Sequence, residues 1–410
     1  MPTPLRWITP FLFLLFFDVY AFQLVKTISA SPWVAGIYWL LAAFTYLVVF
    51  CGVVLGIRLH NNAERMYITA MVFMLFVVKF ILSIFTLADD LIRLLKLACI
   101  WLGISSTAGL PVERSAIICT AGLVLAGLPF LAMLHGMVRN AYRYKVRKVA
   151  LPIQNLPDEL SGLRIVQISD IHTGSFITDK PIKRAVELIN NQQPDLVFFT
   201  GDLVNNRANE AAPYLHIFSK INARYGVFSV LGNHDYGDYV QWPSEQHYRS
   251  NFEEMRNNHR TLGWNLLLNE HRIVDCKGHK IAVIGVENWS ASHRFKRYGN
   301  LQQAYHNITQ DCAVQLLLSH DPSHWKAEVL PRFPKINATF SGHTHAFQFA
   351  IRFFGFKWSP VQLMYKEWVG LYRQQQQFLY VNPGFGFVGY PGRVGYLPEI
   401  TVFELHRANV

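Results

Sequence analysis

The sequence predicts a two-part protein: a multi-span α-helical membrane domain followed by an α/β domain of layered β-sheets flanked by helices. Three observations carry this. Apolar runs of about 20 residues, long enough to cross a bilayer, are confined to residues 1–138. Short β-branched runs alternate with helical segments beyond residue 160, the order of a layered α/β domain. Of the 16 histidines only His60 and His135 precede residue 150, so the two parts are built for different solvents.

In chain order, residues 1–138 read as a transmembrane domain of about four helices, 7–25, 33–57, 66–88 and 115–138. The first is no signal peptide, because no small-residue cleavage site follows it and further spans do. Residues 89–102 are amphipathic and are expected to lie along the interface. Arg6 precedes the first span, Arg58 and Arg65 separate the second from the third, and Arg139, Arg143, Lys145, Arg147 and Lys148 follow the fourth. With four spans these clusters share one side, which the positive-inside rule makes cytoplasmic. Asp18 and Lys79 stand eleven and twelve residues into spans that run the same way, measured from Trp7 and Tyr67. At about 1.5 Å per residue they reach the same depth. A pair across the helix interface is expected, since a lone charge there is costly; an ion or proton path is the alternative.

A basic linker, 139–160, leads to the second domain, 161–410. Strands are expected at 163–168, 195–200, 227–231, 271–276, 280–286, 314–319, 337–341, 378–382 and 400–404. Helices are expected at 180–191 and 209–222, and a polar hairpin turn at Gln374–Gln377. Five motifs follow the strand ends: Asp170-Ile171-His172, Gly201-Asp202, Gly232-Asn233-His234-Asp235, Ser319-His320-Asp321 and Gly342-His343-Thr344-His345. Open α/β sheets place their ligands there. Carboxylate, amide oxygen and imidazole are the donors that divalent cations accept.

As an ordered set these motifs resemble the calcineurin-like metallophosphoesterases. More narrowly, with Gly370-Leu371-Tyr372, Asn382-Pro383-Gly384-Phe385-Gly386 and Pro398-Glu399-Ile400, the chain resembles their membrane-anchored bacterial branch, which includes UDP-2,3-diacylglucosamine hydrolases. The resemblance covers residues 160–405 and implies a dinuclear centre of two divalent metal ions, Mn, Fe, Zn or Mg. It assigns Asp170, His172, Asp202 and His345 to one ion, and Asp202, Asn233, His320 and His343 to the other, Asp202 bridging. It places His234 beside the leaving group, with Asp235 expected to orient its ring. The implied reaction is phosphoester hydrolysis by metal-activated water. The implied location is the inner (plasma) membrane, with the catalytic domain in the cytoplasm.

The chain departs from that family in two places. Ala346-Phe347-Gln348 stand where glycines often follow the H-x-H triplet, and Pro383 stands where a basic residue is common. Arg294 and Arg297, with Lys296, form a basic knot that either holds a second phosphate or is a solvated loop. Residues 347–369 are rich in Phe, Trp and Tyr interleaved with Arg352, Lys357 and Lys366. They read either as a flap that meets the bilayer or as rings that cover the sheet. His216, His247, His259, His271, His279, His306 and His406 are read as surface residues.

The favoured substrate is a membrane-associated lipid phosphate or nucleotide-diphospho-lipid. The alternatives are a soluble nucleotide or phosphoprotein, and a non-catalytic membrane sensor or scaffold. The net charge of +11 is ascribed largely to the membrane flanks, and no nucleic-acid partner is expected. Five scattered cysteines without a C-x-x-C pair argue against a disulfide framework or a thiolate zinc site.

Overall fold

The computed structural model describes residues 5–54, 62–104, 112–308 and 311–408. Residues 55–57 of the second expected span, and Arg58, lie outside these. The chain divides into two compact units, Met1–His135 and Gly136–Val410.

The first unit holds α1 (Leu5–Ile28), α2 (Pro32–Val49), α3 (Asn62–Trp101) and α4 (Ala116–His135). Four stretches within helices are long and apolar enough to cross a membrane. Their outward faces carry large apolar side chains such as Leu12, Phe16, Leu40 and Ile117, as a lipid solvent permits. Small residues let the helices approach: a Cβ on Gly122 of α4 would stand 2.8 Å from Phe85 of α3. Lys79 Nζ lies 2.5 Å from Asp18 Oδ1, so the expected pair forms. Tyr46 donates to the other Asp18 oxygen at 2.7 Å, and the Tyr38 hydroxyl donates to the Asp18 carbonyl at 2.7 Å.

Residues 89–102 are not a separate interfacial segment over most of their length. They continue α3, whose 40 residues contain neither Gly nor Pro to break it. At the acidic pair, Arg114 reaches Asp90 at 2.8 Å and Asp89 at 3.4 Å, and Tyr20 donates to Asp90 at 2.9 Å.

The second unit is a sandwich. Its strands are β1 (Lys145–Ile153), β2 (Arg164–Ile168), β3 (Leu196–Phe199), β4 (Val227–Ser229), β5 (Asn265–Leu266), β6 (Glu270–Cys276), β7 (His279–Gly285), β8 (Val314–Leu318) and β9 (Ala338–Ser341). They continue with β10 (Ile351–Phe353), β11 (Phe356–Trp358), β12 (Gly370–Gln374), β13 (Gln377–Val381) and β14 (Glu399–Arg407). One sheet has the order β1-β14-β2-β3-β4-β5, the other β12-β13-β9-β8-β7-β6, and β10-β11 is a separate hairpin. β2, β3 and β4 run parallel, as do β7, β8 and β9. Ile165, Phe198 and Phe403 from one sheet and Val283, Leu316 and Phe340 from the other share one buried apolar core. Burial on both faces explains why these strands read as continuous apolar runs.

Two expectations need correction here. Residues 145–153, placed in a linker, form β1 and pair in parallel with β14 from Lys145↔Glu399 to Ile153↔Arg407. Alternation of basic and apolar residues suits an edge strand with one exposed face. The helix expected at 209–222 is a 3-10 segment, Ala208–Tyr214, followed by one α-turn, Leu215–Phe218, because Pro213 cannot donate a helical hydrogen bond. A further helix spans Glu245–Leu262, capped by Ser244 and ended by left-handed Gly263.

Candidate metal centre

Five strands aim their C-terminal ends at one place. β2 leads to Asp170 and His172, β3 to Asp202, β4 to Asn233 and His234, β8 to His320, and β9 to His343 and His345. Asp170, His172, Asp202 and His345 present ligand-type atoms that all lie within 4.8 Å of one another, and so do Asp202, His320 and His343. Asp202 belongs to both sets.

The backbone is forced to make this convergence. Asp170, His172, Asp202, His343 and His345 have φ of 53°, 52°, 62°, 69° and 51°. That left-handed region costs most side chains energy and is tolerated best by Asn, Asp and His, so the motif residues suit the turns as well as the chemistry. Strain of this kind gathers at functional sites. Two glycines let the turns close on the carboxylates. A Cβ on Gly232 would lie 2.2 Å from Asp202 Oδ1, and one on Gly342 would lie 2.1 Å from Asp170 Oδ2. The amides beside them anchor the same carboxylates: His234 N donates to Asp202 Oδ1 and His343 N to Asp170 Oδ1, each at 2.9 Å.

Backbone carbonyls set the imidazole orientations. His172 Nδ1 faces Val204 O at 3.1 Å and His320 Nδ1 faces Thr200 O at 2.7 Å. A carbonyl only accepts, so each Nδ1 carries a proton and each Nε2 points inward. There, His172 Nε2 meets His345 Nε2 at 3.0 Å, and His320 Nε2 meets His343 Nδ1 at 3.3 Å. Asn233 donates through Nδ2 to the Tyr239 hydroxyl at 2.9 Å, which leaves its buried Oδ1 with no hydrogen-bond partner. A buried acceptor left alone is costly; here it belongs to the motif next to the cluster.

Charge follows the same logic. Burial raises the Asp170 carboxyl, but His345 and His320 outweigh it and hold the pKa below the usual range. Asp202 is likewise raised by burial and drawn well down by His320 and His234. Burial disfavours a charged His320, yet Asp202, at 3.1 Å, pushes its pKa up to about 10. Burial alone dominates at His172, whose pKa falls well below the ordinary imidazole value, and it lowers His343 as well. Two ionised carboxylates, inward-facing imidazole nitrogens and an orphan amide oxygen form a donor set that fits divalent cations, with His320 giving up the Nε2 proton that Asp202 favours when a cation binds.

Two expected roles change. Asp235 does not orient His234. Its buried carboxylate accepts from the amides of Asp202 at 2.8 Å, Leu203 at 2.8 Å and Gly232 at 2.9 Å, and so ties the β3 and β4 turns together. The His234 ring is oriented by Asn205 O, 2.6 Å from Nδ1, and packs against His172 and Tyr239. Arg297 is committed to the Ser290 and Ala291 carbonyls, at 2.6 and 3.2 Å, and lies over Trp289. Arg294, on the same loop, is exposed and lies 3.7 Å from Met364 Sδ. Neither joins the cluster; the loop touches it through Phe295, whose ring is 4.8 Å from that of His343. His259 is buried, not on the surface, and its Nδ1 is 2.9 Å from Ser229 Oγ.

Two residues at the site carry no motif signal. Tyr365 OH is 2.9 Å from His343 Nε2 and donates to Asp321 Oδ2 at 3.0 Å, fixing that ring. Arg393 is fully buried; it donates to the carbonyls of Pro383 and Gly386, and its Nη2 lies 3.4 Å from His345 Nδ1. A basic group therefore sits over the glycine-rich turn although position 383 is proline. The only hint in the sequence was that missing charge.

Comparison with known proteins agrees with this geometry. Residues 5–141 match the family model described as the transmembrane domain of probable calcineurin-like phosphoesterases, and residues 163–347 match that of the calcineurin-like phosphoesterases. A transmembrane protein with metallophosphoesterase domain from Danio rerio is 30% identical over 280 residues, covering 67% of this chain and 60% of its own length. The uncharacterized metallophosphoesterase YkuE of Bacillus subtilis is 30% identical over 262 residues, 62% of this chain and 82% of its own. The chain thus spans about three fifths of the fish relative, and the same share, 60%, of a like-named protein from Bos taurus.

Proposed function

This chain belongs to the calcineurin-like phosphoesterase family, and from that premise we propose that it is a membrane-anchored phosphoester hydrolase with a dinuclear centre. The observation that carries the proposal is the convergence of Asp170, His172, Asp202, His320, His343 and His345 in two sets that share Asp202. Asn233, with its unpartnered Oδ1, completes the second set. Two divalent cations, when bound, would supply an activated water and neutralise charge on the phosphoryl oxygens.

The residues of the chain do the rest. Asp202 has two oxygens and can serve both sets at once. Val204 and Thr200 keep His172 and His320 in the tautomer that presents Nε2. Asn205 O holds the proton of His234 on Nδ1, which leaves Nε2 for the substrate. Once protonated there, His234 can donate to the departing oxygen as a general acid. Asp235 keeps the two turns in register through the amides it collects.

Four spans place the protein in a bilayer. The arginine and lysine clusters that flank them support a cytoplasmic catalytic domain in the plasma membrane. Confinement to that plane favours a substrate that shares it: a lipid phosphate or a nucleotide-diphospho-lipid. A second reading, a soluble nucleotide, has one observation in its favour: a cleft of about 340 Å³ lined by Asp238 and Trp242 of the loop after His234, Tyr248 of the Glu245–Leu262 helix and Lys296 of the loop after β7. The test is turnover by the full chain in nanodiscs against a panel of lipid and nucleotide phosphates, with Mn, Fe, Zn or Mg added back to stripped protein. Metal-dependent release of lipid headgroups supports the proposal. Metal binding without turnover of any ester, including an aryl phosphodiester, would leave a non-catalytic sensor.

A further inference from the structure

The aromatic segment 347–369 divides cleanly. Val361, Tyr365 and Trp368 are buried with Ala346 and Ala350 in a small apolar cluster. The β10–β11 hairpin does the opposite. At its tip Phe353 is 68% exposed, Phe354 94% and Phe356 61%, and the following turn leaves Leu363 85% exposed. Single exposed apolar residues need no explanation, but a contiguous aromatic tip marks an interaction surface.

The chemistry around the tip selects its partner. Arg352 and Lys357 face each other across the hairpin, one residue behind the phenylalanines. Arg352 lies over Tyr396 and Lys357 over Trp368, so both cations are held at the base. No acidic residue falls between His345 and Glu367. An apolar tip above a cationic collar with no anion is the pattern of a lipid interface: rings among acyl chains, cations at the phosphates. A bilayer is already this chain's surroundings, because four of its helical stretches are built to cross one.

We infer that the β10–β11 hairpin inserts into the leaflet, with Phe353, Phe354 and Phe356 in the acyl layer and Arg352 and Lys357 at anionic headgroups. The hairpin is fastened to the metal centre. Ser359 Oγ donates to Ala346 O at 3.0 Å, Thr344 Oγ1 donates to Trp368 O at 2.6 Å, and Tyr365 holds His343. An inserted tip would therefore set the histidine pair at the mouth of the leaflet, where a lipid phosphate lies. That consequence rests on the proposed activity; the insertion itself does not.

Two readouts separate the claims. Full-length Phe354→Cys, carrying a small environment-sensitive dye in anionic nanodiscs, should be quenched by bromine on the lipid tails and shielded from iodide in water. Wild-type protein treated in parallel corrects for the native cysteines. Iodide quenching without bromine quenching would overturn the insertion. Separately, a Phe354→Asp/Phe356→Asp double variant should lose turnover of a lipid phosphate by about tenfold or more, while hydrolysis of a water-soluble aryl phosphodiester stays within about twofold. Unchanged lipid turnover would remove the link to the site. Absent turnover of both the lipid phosphate and the aryl phosphodiester in the wild type would instead sink the enzymatic reading and leave the dye result standing.

Discussion

Two buried polar clusters, one in each unit, contrast in how their charges are settled. In the membrane unit Asp18 meets Lys79 at 2.5 Å and takes the Tyr46 hydroxyl on its other oxygen. One anion faces one cation, and the cluster is complete without a guest. At the strand ends of the second unit, imidazole nitrogens face each other at 3.0 and 3.3 Å across two carboxylates, and the Asn233 carbonyl oxygen has no partner. The difference teaches how to read buried polarity: a closed pair is architecture, whereas converging acceptors call for a ligand.

The contrast is broken most severely at Asp202. Asp202→Asn should reduce phosphodiester hydrolysis by about 10³-fold, the rate equivalent of roughly 4 kcal/mol, as measured by steady-state turnover under saturating metal. Activity near that of the wild type would show that the shared carboxylate is dispensable. On the membrane side, Asp18→Asn and Lys79→Met should each destabilise by about 3 kcal/mol, the cost of a buried charge left alone. The double variant should recover most of the loss. Additive losses in thermal melts of the nanodisc-embedded protein would mean that the two do not act as a pair.

His234→Ala sharpens the division between holding and reacting. Turnover should fall about 10²-fold while metal content, read by plasma mass spectrometry, stays unchanged. His259 supplies a third kind of buried group, neither paired with a charge nor part of the cluster. Burial holds its pKa down to about 3. The unfolded chain takes up that proton near pH 6.5, so the stability His259 contributes is full above 6.5 and declines as pH falls toward 3. The loss is roughly 1.4 kcal/mol one pH unit below 6.5, and His259→Phe should flatten that part of the denaturation profile. The smallest effect concerns strain: Phe347→Gly, at φ 57°, should stabilise by about 1 kcal/mol in chemical denaturation.

Much of this was legible in the sequence because the physics is local. Strand positions followed from β-branched runs buried on both faces, and Asp18 and Lys79 were matched by counting helical rise. The motif residues converge as ordered because strand ends point one way. What escaped was held by tertiary contact. Asp235 resembles a ring orienter in sequence, but its carboxylate is claimed by amides from a turn more than thirty residues away. Tyr365 and Arg393 reach the site only because the chain returns to it, and His259 looks polar until Ser229 and the core close around it. The residues after His345 gave a half-signal. Ala346, Phe347 and Gln348 adopt φ of 50°, 57° and 54°, the region glycine would favour, and Gln348 secures the turn by donating to Tyr390 O and accepting from Val388 N.

If Asp202 is shared by two cations, X-ray absorption at the metal edge will register both. Manganese-loaded full-length protein should show a metal–metal scattering path at about 3.5–4 Å, and Asp202→Asn should lose it. A wild-type spectrum with nitrogen and oxygen neighbours alone, unchanged in the variant, would contradict the account.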